Sequence, residues 1–297
     1  MKFVHLFIFF CSTAISLFSQ NRLYVNHAAS GANNGLSWAN AYTELQTALQ
    51  ASQAGDTIWV AEGIYLPTAG VDRTVFFELK SGVRLYGGFA GVENTLSQRD
   101  WQAHPSVLSG DIGVPGDSTD NSYTILYMDN PDSLTVLDGF IFRFGNASYT
   151  AGDQIAASPY RSGGALYIMA DWEAYVLVQN CRFERNSARN HGGAVYVNGA
   201  GSYDAAPTFR DCIFQQNIAG QDGGALARIG NSDLERVDFE GCDFISNRSG
   251  RFGGGLYYLD ADVDSWLDLY NCFFQKNEAM NRGAATALQV GREEGLK

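Results

Sequence analysis

Basic residues are in short supply in this chain. Twenty lysines and arginines face 32 aspartates and glutamates, for a net charge of -12. That deficit argues against a nucleic-acid partner, whose phosphates need clustered Lys and Arg. It argues equally against docking on an anionic membrane surface. Proline is scarce, at 6, whereas glycine is abundant, at 33. The mix suits many tight turns between short strands. Charged residues make up only 18% and hydrophobic ones 45%, a globular composition and not a disordered one. The 4 histidines do not cluster with the 5 cysteines, which argues against a zinc site. Beyond the first twenty residues no apolar run approaches the ~20 residues that a membrane-spanning helix needs.

The one long apolar run, residues 3–18 in MKFVHLFIFFCSTAISLFSQ, follows a single lysine and precedes Ser19 and Gln20. This is the pattern of a secretory signal peptide, and it assigns residues 1–19 to a leader cleaved near Ser19. A retained anchor fits less well, because the run is short for a span. A lipid anchor on Cys11 also fits less well, because Phe10 is bulky for the residue before a lipidated cysteine. The mature chain is expected to be secreted or surface-associated, with no membrane span once the leader is gone.

What is present in quantity is repetition. Cys181, Cys212, Cys242 and Cys272 are 31, 30 and 30 residues apart, and Phe183, Phe214, Phe244 and Phe274 keep those spacings. So do Asn186, Asn217, Asn247 and Asn277. The glycine pairs 163–164, 192–193, 223–224 and 253–254 follow the same beat, with Gly283 as a single remnant. Apolar residues alternate within each unit, as in GALYIM and YVLVQNCRF, and period two means strands. Short strands and turns in units of ~20–50 residues mean a solenoid or a propeller. A propeller blade is longer and comes in more copies, whereas about 30 residues suit one coil of three strands and three turns. The spacing therefore predicts an all-β fold, a right-handed parallel β-helix with about 30 residues per regular coil.

Each repeated residue has a structural role in such a stack. Cys and Phe in C-x-F share parity and face inward, where one buried Phe is worth roughly 1.5–3 kcal/mol. The Asn three residues after each Phe sits at a strand end, tolerates a left-handed backbone, and can bond its copies in a ladder. The glycines allow a tight corner. The four cysteines read as a buried column of free thiols, because parallel Cβ vectors ~4.8 Å apart suit a disulfide poorly.

The segment before the array is less regular. Residues 36–54 read as a helix with Tyr42, Leu45 and Leu49 on one stripe, capped by Ser37 or Asn40 and stopped at Gly55-Asp56. TIWVAEG, TVFFEL, VRLYGGF, SVLSGDI, YTILYM and LTVLDGFIF read as strands. The helix is placed as an N-terminal cap over bare strand edges. The organisation is thus a leader at 1–19, a strand and capping helix at 20–57, irregular coils at 58–145 and regular coils at 146–297. The chain stops directly after a coil, at LQVGREEGLK, so a following region is expected to be missing.

The phrases FERN, FQQN, FISN and FQKN, with GGAL, GGAV and GGGL, resemble the repeats of chlamydial polymorphic outer-membrane proteins and of secreted bacterial β-helix proteins. The opening, from LYVNHAASGANNGLSWANAY to VRLYGGFAGVENTLSQRD, is similar to β-helix surface proteins of Bacteroidetes. The resemblance implies a secreted or surface-exposed, adhesin-like protein, from whose pattern these residues are expected to depart in carrying no C-terminal outer-membrane barrel or sorting domain.

Several residue sets are candidates for function. Tyr167, Tyr196 and Tyr257 share one repeat position, and alternation places them outside as an aromatic strip for sugar rings or a partner protein; ordinary cross-strand stacking explains them as well. Asp260, Asp262 and Asp264 in DADVDSW alternate as calcium ligands do, but the run lacks the glycine and distal Glu of a calcium-binding loop, and a solvated turn is the plainer reading. Asp111, Asp117 and Asp120 form a second acidic run. Ser162, His191 and Asp222 all precede the glycine pair on consecutive coils, which would align them on the surface; no nucleophile elbow or oxyanion hole accompanies them. No catalytic residue is assigned and no cofactor is required, with calcium the one ion the carboxylates would take. The reading is a non-catalytic surface protein that binds glycan or another surface protein. The alternative is a polysaccharide lyase or glycoside hydrolase of the pectate-lyase-like type, which would show as acidic and basic side chains converging in a groove on one sheet.

Overall fold

The computed structural model describes residues 20–150, 158–171, 174–199, 206–230, 236–260 and 266–289. Residues 1–19, expected to be a leader, lie outside them. Every strand pairing within the sheets is parallel, and each strand pairs with its counterpart on the coil before and after, so the chain winds as a β-solenoid. It has an eight-stranded first sheet starting at Arg22–Val25, a seven-stranded second sheet starting at Gly63–Tyr65, and a seven-stranded third sheet starting at Phe77–Glu78. A fourth sheet of five two-residue strands, from Asn146–Ala147 to Glu278–Ala279, fills the corner between the second and third. The three-strand coil expected from the spacing thus has a fourth, minimal side.

Like residues do stack on like. Phe142, Phe183, Phe214, Phe244 and Phe274 are successive register partners. Their ring centroids are 5.0, 4.9, 4.7 and 4.6 Å apart, with planes within 13°. The spacing matches the ~4.8 Å between strands, so each ring lies flat on the next. A second column, Phe209 over Phe239 at 5.2 Å, meets the first edge-on. Offset stacking within a column and edge contact between columns are the favoured aromatic geometries.

The four repeat cysteines carry no disulfide; Cys181, Cys212 and Cys242 are buried and Cys272 half-buried. Each thiol reaches a carbonyl of the preceding coil, such as Cys212 Sγ to Val178 O at 3.5 Å. Burial pushes the Cys212 thiol up, which keeps it protonated and unreactive.

The asparagines form the expected ladder, with one correction. Asn217 Nδ2 donates to Phe183 O at 2.8 Å and to Asn247 Oδ1 at 3.0 Å, while its own Oδ1 accepts from the backbone N–H of Asn186 at 3.0 Å. The left-handed residue is not the Asn but the one before it: Arg185, Gln216, Ser246 and Lys276 have φ of 53–56°. The Asn amide braces that corner by bonding a carbonyl of the preceding coil. At the other corner, Gly192 has φ 60°, and a Cβ on Gly193 would stand 2.2 Å from Gly224 O. The first glycine turns the chain and the second lets adjacent coils touch.

The helix is shorter than its sequence pattern, spanning Leu45–Ala51 with no side-chain cap at Glu44. Residues 36–44 are held in turns instead. Asn40 Oδ1 accepts from Ala32 N–H at 2.9 Å, and Asn40 O accepts from Asn34 and Gly35 N–H. The candidate caps Ser37 and Asn40 are therefore committed to loop bonding, a local competition typical of Asn and Ser. Leu45, Ala48 and Leu49 face the core. The helix lies beside Phe77–Glu78, the edge strand of the third sheet, with Gln46 Nε2 donating to Phe76 O at 3.3 Å.

Candidate functional site

Strand alternation points Tyr167, Tyr196 and Tyr257 away from the coil interior, as expected, but they are not exposed. Their accessibilities are 0%, 1% and 3%. They form a second apolar cluster on the outer side of the third sheet with Ala227 and the half-buried Tyr127, Met169 and Phe252. Tyr127 and Tyr167 stack at 5.7 Å and Tyr167 and Tyr196 at 5.4 Å. Asn198 Nδ2 donates to the Tyr167 hydroxyl at 3.0 Å. Burial pushes the hydroxyls of Tyr167 and Tyr196 up, and that of Tyr127 to about 12. The strip is thus a packed satellite core and presents no open aromatic face. Alternation alone could not show that its outer side is covered.

Ser162, His191 and Asp222 are aligned on consecutive coils but buried, at 0%, 7% and 0% accessibility. His191 Nδ1 is 3.2 Å from Asp222 Oδ2, poorly aligned for a hydrogen bond. Ser162 Oγ accepts from the His191 backbone N–H at 3.4 Å. Arg251 grips Asp222 with two nitrogens, and Phe252 N–H donates to the same carboxylate at 3.2 Å. Although burial opposes its charge, the hydrogen bonds from Arg251 and the nearby His191 ring hold the Asp222 carboxyl below the usual carboxylate range. The cluster is a buried polar clasp between coils. A depressed carboxyl stabilises the fold above the ordinary pKa of about 4 and loses that contribution as pH falls through its folded value. The melting-temperature gap between the protein and Asp222→Asn should therefore be widest at pH 6–8 and narrow below pH 4; a gap independent of pH contradicts this role.

The acidic runs divide. Asp111, Asp117 and Asp120 belong to one loop and spend their oxygens on it: Asp111 accepts from Gly116 N–H, Asp120 from Val114 N–H and Asp117 from Thr119. Asp260 ends the third-sheet strand Leu256–Asp260, and Asp262 and Asp264 lie outside the described residues. Among the described residues no group of three His, Cys, Asp or Glu side chains is placed to hold a metal.

Two sites emerge that the repeat pattern did not mark. The first is a groove of about 400 Å³ between the turn at 101–105 and the outer face of the second sheet. Trp101 and Pro105 wall it, Ile141 and Ile213 floor it, and Asn180 and Arg182 supply polar edges. The second is an open depression on the outer face of the first sheet, where Arg210, Asp238, Glu240 and Asp268 converge beside Tyr270. Arg210 Nε and Glu240 Oε2 pair at 2.7 Å. Trp101 lies in the irregular coils, whose register no repeated phrase reveals. The convergence at Arg210 was legible in principle, since Asp238 and Asp268 are 30 residues apart. Arg228 was also missed: it sits fully buried among inward-facing positions, its guanidinium 4.8 Å from the Tyr258 ring, donating to Leu259 O at 3.3 Å.

The family model of the Chlamydia polymorphic membrane protein repeat matches residues 180–198. That segment starts at the left-handed Asn180, runs through Cys181, Phe183, Asn186 and the glycine pair, and ends in the third-sheet strand, so it covers most of one coil. No curated protein and no solved structure matches the chain. The chain is a parallel β-solenoid with repeats resembling those of the polymorphic membrane proteins. Among the described residues no helix is long and apolar enough to cross a membrane.

Proposed function

We propose that the protein is a non-catalytic, secreted or surface-held solenoid that binds glycan through the groove beside Trp101. The groove carries this reading: an aromatic wall, an aliphatic floor and polar edges at Asn180 and Arg182 form the mix that a sugar ring, with one apolar face and a rim of hydroxyls, requires. The repeat match supports a surface location, and the leader at 1–19 supports export. The winding is read as right-handed, the hand that parallel crossovers overwhelmingly take. The helix Leu45–Ala51 is read as the cap of the third sheet's first edge. Screening the purified protein on a glycan array, then titrating the best ligand, tests the reading. Trp101→Ala should weaken binding at least about tenfold, as truncating an aromatic anchor does. An array with no binder, or an unchanged affinity, overturns it.

A second reading, a polysaccharide lyase or glycoside hydrolase, is favoured by the convergence of Arg210 with Asp238, Glu240 and Asp268 on one sheet. Depolymerisation of any polysaccharide in a panel, abolished in Asp268→Asn, would replace the first reading with this one.

A further inference from the structure

The outer face of the first sheet is ordered by charge along the solenoid axis. Its strands share one register, so the outward column can be followed from coil to coil. Arg22 and Arg84 stand on the first and third strands, Val136 and Leu177 on the fourth and fifth, and Asp238 and Asp268 on the seventh and eighth. At the first end Arg22, Arg84 and Arg99 face one carboxylate, Asp138, for a balance of +2; at the other Asp238, Glu240 and Asp268 face one arginine, Arg210, for -2. A positive end is unexpected on a chain whose net charge is -12. It is also held in place: the Arg22 guanidinium lies 3.9 Å over the Trp59 ring, and Arg99 is clamped on Asp138.

This order is self-complementary. A two-fold axis lying in the plane of the interface, parallel to the strands and between the fourth and fifth, lays the first strand of one copy on the eighth of the other. Arg22 then meets Asp268. Arg84 comes within one strand spacing, ~4.8 Å, of Asp238. Val136 and Leu177 cover each other at the centre, both half-buried in the single chain. The geometry points to a second copy of this chain as the partner of the first sheet, docked antiparallel in a closed isologous dimer. Each interface uses both charged ends twice, so the attraction is doubled. Seven strand spacings make the face about 34 Å long, and strands of about four residues make it about 13 Å wide, so its area of roughly 450 Å² is modest beside the ~800 Å² per partner of a standard interface. The dimer is therefore reversible and, resting on exposed charge, weakened by salt. It does not depend on the glycan groove, which lies on the second sheet.

Sedimentation equilibrium of the purified protein tests this. At low ionic strength a monomer–dimer equilibrium is expected, with the dissociation constant rising about tenfold or more at 0.5 M salt. Arg22→Glu with Arg84→Glu should be monomeric, as should Asp238→Arg with Asp268→Arg. Mixed together, these two variants should form a one-to-one dimer, and all four reversals in one chain should restore self-association. If a reversal prevents folding, Arg84→Gln with Asp268→Asn removes charge without reversing it and should still weaken the dimer about tenfold. A wild-type protein that stays monomeric at low salt, a dimer indifferent to salt, or reversed variants that fail to pair when mixed would each overturn the proposal.

Discussion

Phe214→Ala should lower the unfolding free energy by roughly 3–5 kcal/mol. Phe214 is fully buried, stacked between Phe183 at 4.9 Å and Phe244 at 4.7 Å, with the Phe209 edge 6.0 Å away. The cost sits at the upper end for Phe truncations because the hole cannot close. The backbone on both sides is fixed by ladder bonds to the neighbouring coils, so the walls cannot move inward. Both stacking partners lose a contact face at once. The same change at Phe274, which is only half-buried at the last described coil, should cost less than half as much. Chemical denaturation followed by circular dichroism reads both variants. Equal effects at the two sites, or an unchanged midpoint for Phe214→Ala, would contradict the stacked column.

The second large effect belongs to Asn217→Ala. Its amide satisfies three buried groups on other coils: the carbonyl of Phe183, the backbone N–H of Asn186 and Oδ1 of Asn247. Asn186, Asn217 and Asn247 are all at most 1% accessible, so water cannot replace those bonds. Three buried bonds are lost at about 0.5–1.5 kcal/mol each, and the Asn186 N–H is left without its acceptor, which together put the expected loss at roughly 3 kcal/mol. Asn217→Ser should recover little, because its shorter side chain spans fewer of the three groups. Thermal melts of the two variants decide the matter. A loss below about 1 kcal/mol for Asn217→Ala would mean that the ladder is incidental to the corner.

The sequence-to-structure correspondence follows from where the energy lies. Phe183, Phe214, Phe244 and Phe274 recur because each needs its copy on the next coil, and that mutual need writes a period into the sequence. The Asn ladder was legible for the same reason. The left-handed residue beside it was not, because Arg185, Gln216, Ser246 and Lys276 share a conformation and no side-chain chemistry. The helix was overextended because Ser37 and Asn40 resemble caps but bond within their own loop. The tyrosine column was placed on the correct side of its strand, and its burial was missed, because alternation reports direction and not cover. The groove at Trp101 was hidden because its wall comes from a turn in coils whose register only the coordinates supply, whereas the 30-residue spacing of Asp238 and Asp268 carried the convergence at Arg210.

The central claim is that successive coils lay identical side chains in one column, so that the neighbours of each ring come from 30 or so residues away. Nuclear Overhauser spectra of protein labelled only at phenylalanine rings test this directly. The account predicts an unbroken chain of ring-to-ring contacts linking Phe142, Phe183, Phe214, Phe244 and Phe274 in that order, as centroids 4.6–5.0 Å apart require. Rings that show no contact with their counterparts one coil away would contradict it.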